Sequence, residues 1–422
     1  MQYSDLHLDG FLAALLVPPE SAIPLAIGFV LLAVSIFSLT CPPTDNYRWA
    51  WRILRLAIAP VAIYSFILHG YWPYETDGVR VDVGMAVVGL YGVMRVVETI
   101  LVGLMDNEPP HWIVNGQKVP LPTTISGRLA YTIDLATSLR GNSWFLSTHW
   151  DWAPKALINS PACVMSRARF LSSSIISLIP QYFAMDVLDS INKSRTWDRS
   201  TPYPITSLPW HEQLIFSLSV CAQTLLSITI PYTIHALTFV LLGSHPESWP
   251  PMFNAPFFSS SLADFWTRRW HAIFRRVFGH FSTAILCIIP IPRSSPPSLA
   301  ERTIRSVVIF GLSATLHILL MYRIDMVETG HPQTFLDPSI LKFFLSMPLG
   351  LTLEALVVLP MSKAFVPAGW RITVSRVWAW AFLLWAGRFW SDVWVHRGFW
   401  DEKERVVGWS VVRGVLYGEW AT

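Results

Sequence analysis

Charge is scarce in this chain. Of its 422 residues only 14% are Asp, Glu, Lys or Arg, while 52% are hydrophobic. A soluble domain carries roughly 25% charged residues, so an ordinary water-facing surface is excluded for most of the chain and a lipid bilayer is the expected surroundings. The net charge of +3 is small, and no basic run or aromatic–basic repeat of the kind that binds nucleic acid is present. Cysteine is scarce as well. Cys41, Cys163, Cys221 and Cys287 are scattered without C-x-x-C spacing, which suggests neither a zinc site nor a disulfide framework. The start, MQYSDLHLDG, is acidic and lacks the basic opening of a signal peptide, so the first apolar segment is expected to stay as a membrane helix.

Soluble-enzyme signatures are missing. No histidine is followed four residues later by aspartate, and there is no G-x-S-x-G elbow, phosphate-binding G-x-x-x-x-G-K-[ST] loop or H-E-x-x-H pair. His211-Glu212 comes nearest to the last and lacks its second histidine. No internal period and no duplication of halves is visible. One polytopic domain, 1–422, is the simplest reading.

What the chain has is long apolar runs. Crossing a bilayer takes about 20 apolar residues, and the candidates are 22–40, 50–69, 82–105, 170–188, 214–243, 277–292, 304–322, 341–361 and 374–394. The expected fold is therefore an all-α polytopic helix bundle with eight or nine spans, 170–188 and 277–292 having the least signal. Basic residues favour cytoplasmic loops. Arg48, Arg52 and Arg55, the loop with Lys118, Arg128, Arg140, Lys155 and Arg167, and the loop 244–276 all fall on one side by this rule. Arg293, Arg302 and Arg305 fit less well, because a span at 277–292 puts them outside. Asn192-Lys193-Ser194 is a glycosylation sequon close to a membrane boundary.

Against this background SLADFWTRRWHAIFRRVF, 261–278, stands out for its polar content. Ser261 and Asp264 have the form of a helix-start capping box, and prolines 246, 250, 251 and 256 predict extended chain before it. A continuous helix would align Asp264, Arg268, His271 and Arg275 on one face, with Trp266, Trp270, Ile273 and Val277 on another. Such a helix would anchor at an interface through arginine and tryptophan. Alternatively, it would draw a phosphate-rich ligand to its guanidinium groups.

The second polar feature is His317, alone in the apolar run SVVIFGLSATLHILLMY, 306–322. An ionisable group inside a bilayer is costly and marks a site by default, although a histidine bonded between helices is the plainer account. Ser313 lies one turn back on its face. Arg95 and Glu98, spaced i, i+3, are expected to pair with each other. Glu354 is open between a proton path and an interhelical bond.

FWTRRWH at 265–271 and SATLH at 313–317 together resemble the wax synthase-like branch of the membrane-bound O-acyltransferase superfamily, which shares an F-W-x-R-R-W-[NH] motif followed by a span with a histidine. DLATSLRGNSWF, 134–145, is similar to the D…RG…W segment of that branch. The resemblance covers about 110–395 and, with the HW–NG–P stretch at 111–120, leans toward fungal enzymes that acetylate terpenoid or meroterpenoid hydroxyls. It implies acetyl transfer from acetyl-CoA, a co-substrate rather than a bound cofactor, to a hydrophobic alcohol, without metal. His317 would be the general base and His271, where the superfamily often has Asn, would orient or polarise the thioester. Arg268, Arg269, Arg275 and Trp270 would hold the CoA, and Ser313 would help bind substrate. The expected location is the endoplasmic reticulum membrane, with the CoA site facing the cytosol. The alternatives are a long-chain wax ester synthase and, from another class, a proton-coupled transporter using Glu98, His317 and Glu354.

Overall fold

The computed structural model describes residues 18–41, 48–74, 76, 79–105, 108–138, 140–143, 149–153, 165–289, 295–329, 336–401 and 406–420. The N-terminal stretch, Lys155, Cys163, Arg293, and Trp144 and Phe145 of the D…RG…W patch lie outside them. The fold is all-α apart from one small sheet. Its main helices are α1 (Pro19–Phe37), α2 (Arg48–Tyr71), α3 (Val79–Met105), α4 (Ile125–Thr137), α5 (Arg167–Asn192), α6 (Trp210–Leu241), α7 (Arg275–Ile288), α8 (Leu299–Thr329), α9 (Pro338–Leu353, continued through a π-turn into Leu359–Phe365), α10 (Arg371–His396) and α11 (Val411–Tyr417). Three short antiparallel strands, β1 (Trp112–Val114), β2 (Gln117–Lys118) and β3 (His149–Trp150), flank α4 in the order β2-β1-β3.

Among the described residues, seven helical segments are long and apolar enough to cross a membrane. They are Glu20–Thr40, Trp49–Tyr71, Val81–Leu101, Arg167–Asn192, Trp210–Leu241, Leu299–Met326 and Pro338–Phe365. Prolines inside α1, α2, α5, α6 and α9 are tolerated there, as they are in bilayer helices whose neighbours satisfy the freed backbone groups. The α10 helix, 26 residues long, carries Arg371, Arg376, Arg388 and Asp392 and is less apolar, yet it packs along α6 and α9 as an eighth long helix of the bundle.

One expected span is not a span. Of the expected span 277–292, the described residues up to 288 belong to α7, 14 residues long, or about 21 Å of helix, short of the roughly 30 Å hydrocarbon core. At its start Val277 and Phe278 pack with Leu316 of α8, and further along Arg305 donates to the Thr283 hydroxyl at 3.4 Å. Leu316 and Arg305 are about 16 Å apart along α8. The α7 helix therefore climbs back from the middle of α8 toward its start. Among the described residues, the motif and α7 thus form a re-entrant hairpin against α8. Arg302 and Arg305, at the start of α8, lie on the same face as the motif turn, since Thr303 of α8 and Leu262 of the motif both meet α9 at 352–354.

The sequon asparagine is buried at the opposite end. Asn192 donates to Gln223 Oε1 at 2.7 Å and accepts from the Ser219 hydroxyl at 2.7 Å, so its amide is committed to helix packing.

Candidate functional site

The motif begins as a tight turn whose local bonds match its sequence. The Ser261 hydroxyl accepts from the Asp264 amide at 3.0 Å, the expected cap. Asp264 in turn accepts from the Ser260 amide at 3.0 Å and from Arg269 Nε at 2.7 Å. Burial pushes the Asp264 carboxyl up, but the Ser260 and Arg269 hydrogen bonds outweigh it and hold the group below its usual range. Residues Leu262–Asp264 are α-helical and Phe265–Arg269 form a π-helical turn, closed by the Trp270 amide donating to the Phe265 carbonyl at 2.8 Å.

The helix does not continue. Trp270 has extended backbone, φ −72° and ψ 157°, so the expected single helix over 261–278 is broken between Arg269 and Arg275. The cause is long-range. The Arg269 carbonyl is taken by the Asn254 amide at 2.9 Å, and Arg269 Nη1 donates back to the carbonyls of Asn254 and Ala255 at 3.3 and 3.2 Å. Phe253, Phe265 and Trp266 close around the Trp270 ring, with Phe265 stacked on it at 5.0 Å. Trp266 meets Phe310 of α8 edge-on at 5.2 Å.

Past this break the chain carries His271 toward α8. Burial first, then the neighbouring His317 and Arg140, push the His271 imidazole down to about 3, so it is neutral at ordinary pH. Its Nδ1 is buried with no hydrogen-bond partner among the described residues, and the same holds for Trp266 Nε1. Buried polar atoms are rarely left in that state. On α8, His317 Nδ1 lies 2.7 Å from the Ser313 carbonyl oxygen. Its ring packs against Phe344 of α9 at 4.5 Å and Trp390 of α10 at 5.1 Å, and the residue as a whole is partly buried. Ser313 contacts His317 through its main chain rather than its hydroxyl.

The arginines divide. Arg268 is 75% exposed, with Asp264 at 3.5 Å as its ion-pair neighbour. Arg269, 24% exposed, is spent on Asp264 and the 254–255 backbone. Arg275 is exposed and donates to the Thr267 carbonyl. Arg276 turns inward, with Nε 2.9 Å from Glu98 and the guanidinium 4.3 Å from the Trp152 ring. Glu98 therefore does more than pair with Arg95, since it also holds Arg276 and lies 3.5 Å from His280. The start of α7 is thus fastened to α3.

The D…RG segment supports the motif from outside. Asp134 accepts from Trp112 Nε1 and the Ser143 hydroxyl, each at 2.7 Å, and is fully buried. Arg140 donates to the carbonyls of Pro250 and Pro251 at 2.9 and 2.6 Å. Asn142 donates to the Ser248 carbonyl, while the Ser248 hydroxyl donates to Ser143 O at 2.7 Å. Gly141, with φ +90°, makes the turn between them, where a Cβ would press on Ala153. Two sequence patches more than a hundred residues apart form one scaffold.

Residues 249–345, running from this scaffold through the motif and His317 to Phe344, match the sequence profile described as the membrane bound O-acyl transferase family. Over these residues the chain is similar to that family. Curated relatives agree. The acetyltransferase ataH of Aspergillus terreus is 28% identical over 242 residues, 52% of this chain and 75% of that protein. The acetyltransferase atnC of Arthrinium sp is 25% identical over 338 residues, 74% and 72% of the two chains, and aurG of Calcarisporium arbuscula is 23% identical over 292 residues, 64% and 66%. These similarities support an acyltransferase enzyme with an acyl donor and an acceptor substrate.

Sequence reasoning undervalued Glu354. It is 2% exposed and opens a π-helical turn, Glu354–Val358, that prolongs α9. Its Oε2 accepts from the Leu262 amide at 2.6 Å and its Oε1 from the Ala263 amide at 3.0 Å. A lone acid within an apolar run was the only signal, and it gave no partner.

Proposed function

We propose that this enzyme transfers an acetyl group from acetyl-CoA to a hydroxyl of a hydrophobic terpenoid or meroterpenoid, with His317 as general base. What supports the reading is the break at Trp270, past which His271 carries a buried Nδ1 with no hydrogen-bond partner among the described residues and lies close enough to His317 for the two rings to interact electrostatically. A thioester is already activated, so the residues need only position two substrates and move one proton.

A carbonyl oxygen only accepts, so Ser313 fixes the proton on His317 Nδ1 and leaves the Nε2 lone pair for substrate. In the step, Nε2 takes the alcohol proton as the oxygen attacks the thioester carbonyl carbon. The tetrahedral oxyanion collapses, the C–S bond breaks, and the proton passes to the departing thiolate. His271 donates a hydrogen bond to the oxyanion, a role of about 10²–10³-fold where such donors have been removed elsewhere. General base catalysis typically supplies ~10²–10⁴-fold. Exposed Arg268 and Arg275 attract the CoA phosphates at the motif face, while Arg269 and Trp270 act by holding the motif's shape.

The aromatic wall of Phe344, Phe343 and Trp390 around His317 suits an apolar acceptor arriving from the bilayer. The basic residues of the motif face favour the cytosolic side, and the endoplasmic reticulum is the expected membrane. A proton relay through Glu98 and Glu354 is disfavoured, because both carboxylates are already bound to protein partners.

The test is acyl transfer by microsomes carrying the wild type, using labelled acetyl-CoA and palmitoyl-CoA with panels of terpenoid and fatty alcohols. Acetylated terpenoid as the main product supports the reading. Preference for palmitoyl-CoA and fatty alcohols moves the enzyme to wax ester synthesis.

A further inference from the structure

We infer that Glu354 is a positioning residue of this active site, fixing through two backbone amides the turn from which His271 hangs. The inference rests on the acyl-transfer reading for its kinetic consequence, and on geometry alone for the contact. Glu354 lies beyond the matched residues 249–345, and 92 positions separate it from Leu262.

A carboxylate accepting two adjacent main-chain amides makes a charge-assisted, two-point attachment that sets direction as well as distance. The amides of a helix's first turn have no intrahelical partner, and those of Leu262 and Ala263 open the motif turn. Burial of Glu354 to 2% shields the pair from water. Leu262 is fully buried and is seated directly against Gly350, one turn before Glu354 on α9. The first residue of the motif turn is thus held to α9 by both its side chain and its amide.

From there the coupling to the chemistry is short and stiff. Ala263 is followed by Asp264, whose carboxylate binds Arg269, and the Arg269 backbone and side chain clamp 254–255. That clamp breaks the helix at Trp270 and sends His271 toward α8. Freeing the turn's start lets the whole 262–271 segment shift relative to α8, and misplacement by about 1 Å can cost on the order of 10²-fold in rate. Substrate does not touch Glu354 in this scheme. It acts through His271.

The experiment compares wild type, Glu354→Ala and Glu354→Gln in detergent or nanodiscs by hydrogen–deuterium exchange of peptides covering 257–271, alongside acetyl-transfer kinetics. Glutamine keeps an oxygen for one of the two amides. The expected result is faster exchange in that peptide for Glu354→Ala, little change in α3 and α5, and an intermediate rate for Glu354→Gln. Expected kinetics are a kcat lowered about 10–100-fold in Glu354→Ala, a KM for acetyl-CoA changed far less, and partial recovery in Glu354→Gln. Unaltered exchange at 257–271 in Glu354→Ala overturns the inference, as does an unaltered kcat in an enzyme whose wild type is active. Wild-type protein that is inactive with every donor while Glu354→Ala still loosens 257–271 overturns the acyl-transfer reading and leaves the attachment standing.

Discussion

His317 and Ser313 share one hydrogen bond, 2.7 Å from imidazole Nδ1 to the main-chain oxygen one turn earlier on α8. The partner is a carbonyl, which has no proton to give, so the tautomer of the neutral ring is decided by the helix itself. Nε2 is then the acceptor on a ring that lies between Phe344 and Trp390. His317→Ala is expected to lower acyl transfer by about 10²–10⁴-fold with normal protein accumulation. Ser313→Ala keeps the carbonyl and is expected to stay within a few-fold of wild type. A Ser313→Ala enzyme as impaired as His317→Ala would mean that the hydroxyl, not the main chain, serves the site.

For His271 the charge state decides the substitution pattern. Its imidazole titrates near 3 rather than at the ordinary 6.5, so between those values the folded protein leaves it neutral while the unfolded chain protonates it. Stability therefore falls as pH drops through that window and is unaffected by this group above 6.5. A neutral donor is replaceable by an amide. His271→Asn is expected to keep substantial activity and an unshifted pH–rate profile, whereas His271→Ala loses about 10²–10³-fold. Initial rates of both variants across pH 5 to pH 8 settle it, and equal loss in the two would rule out hydrogen-bond donation as the role.

The two neighbouring arginines are predicted to fail in different ways. Arg268 is exposed and loosely paired, so Arg268→Ala should raise KM for acetyl-CoA, and more at low salt, with kcat and melting temperature near wild type. Arg269 bonds a carboxylate and two carbonyls. Losing hydrogen bonds of a charged group costs about 1.5–3 kcal/mol each, so Arg269→Ala should lower thermal stability and kcat together. Steady-state kinetics paired with a thermal shift separate these cases. A selective KM effect at Arg269 would reverse the assignment.

The spans and the two histidines were legible because each leaves a local mark, a run of apolar residues or an imidazole within one. The re-entrant hairpin was not. The α7 helix is apolar because it packs on α3 and α8 through Val277 and Phe278, and that looks in sequence like apolarity turned to lipid. The break at Trp270 was hidden for a related reason. No proline or glycine lies between Leu262 and Arg275, and the helix yields instead to the Asn254 amide on the Arg269 carbonyl. Glu98 looked like half of an i, i+3 pair, yet its larger task is to hold Arg276 from another helix. Contacts made across long stretches of chain carry no periodicity to read.

The last prediction concerns the seat of the motif on α9. A Cβ at Gly350 would come within 2.5 Å of the Phe382 ring and 2.8 Å of the Leu262 side chain, and both of those residues are buried. Neither can move without disturbing α10 or the motif turn. Gly350→Ala is expected to cost about 1–3 kcal/mol by overpacking, despite alanine's better helix propensity. It should also reduce kcat by displacing the turn that leads to His271. Phe382→Leu added to Gly350→Ala frees space on the α10 side and should recover stability, and activity with it if Leu262 returns to its place. Thermal melts and initial rates of the single and double variants test this. A Gly350→Ala protein as stable and active as wild type would show that α9 and the motif are less closely coupled than Leu262 and Glu354 imply.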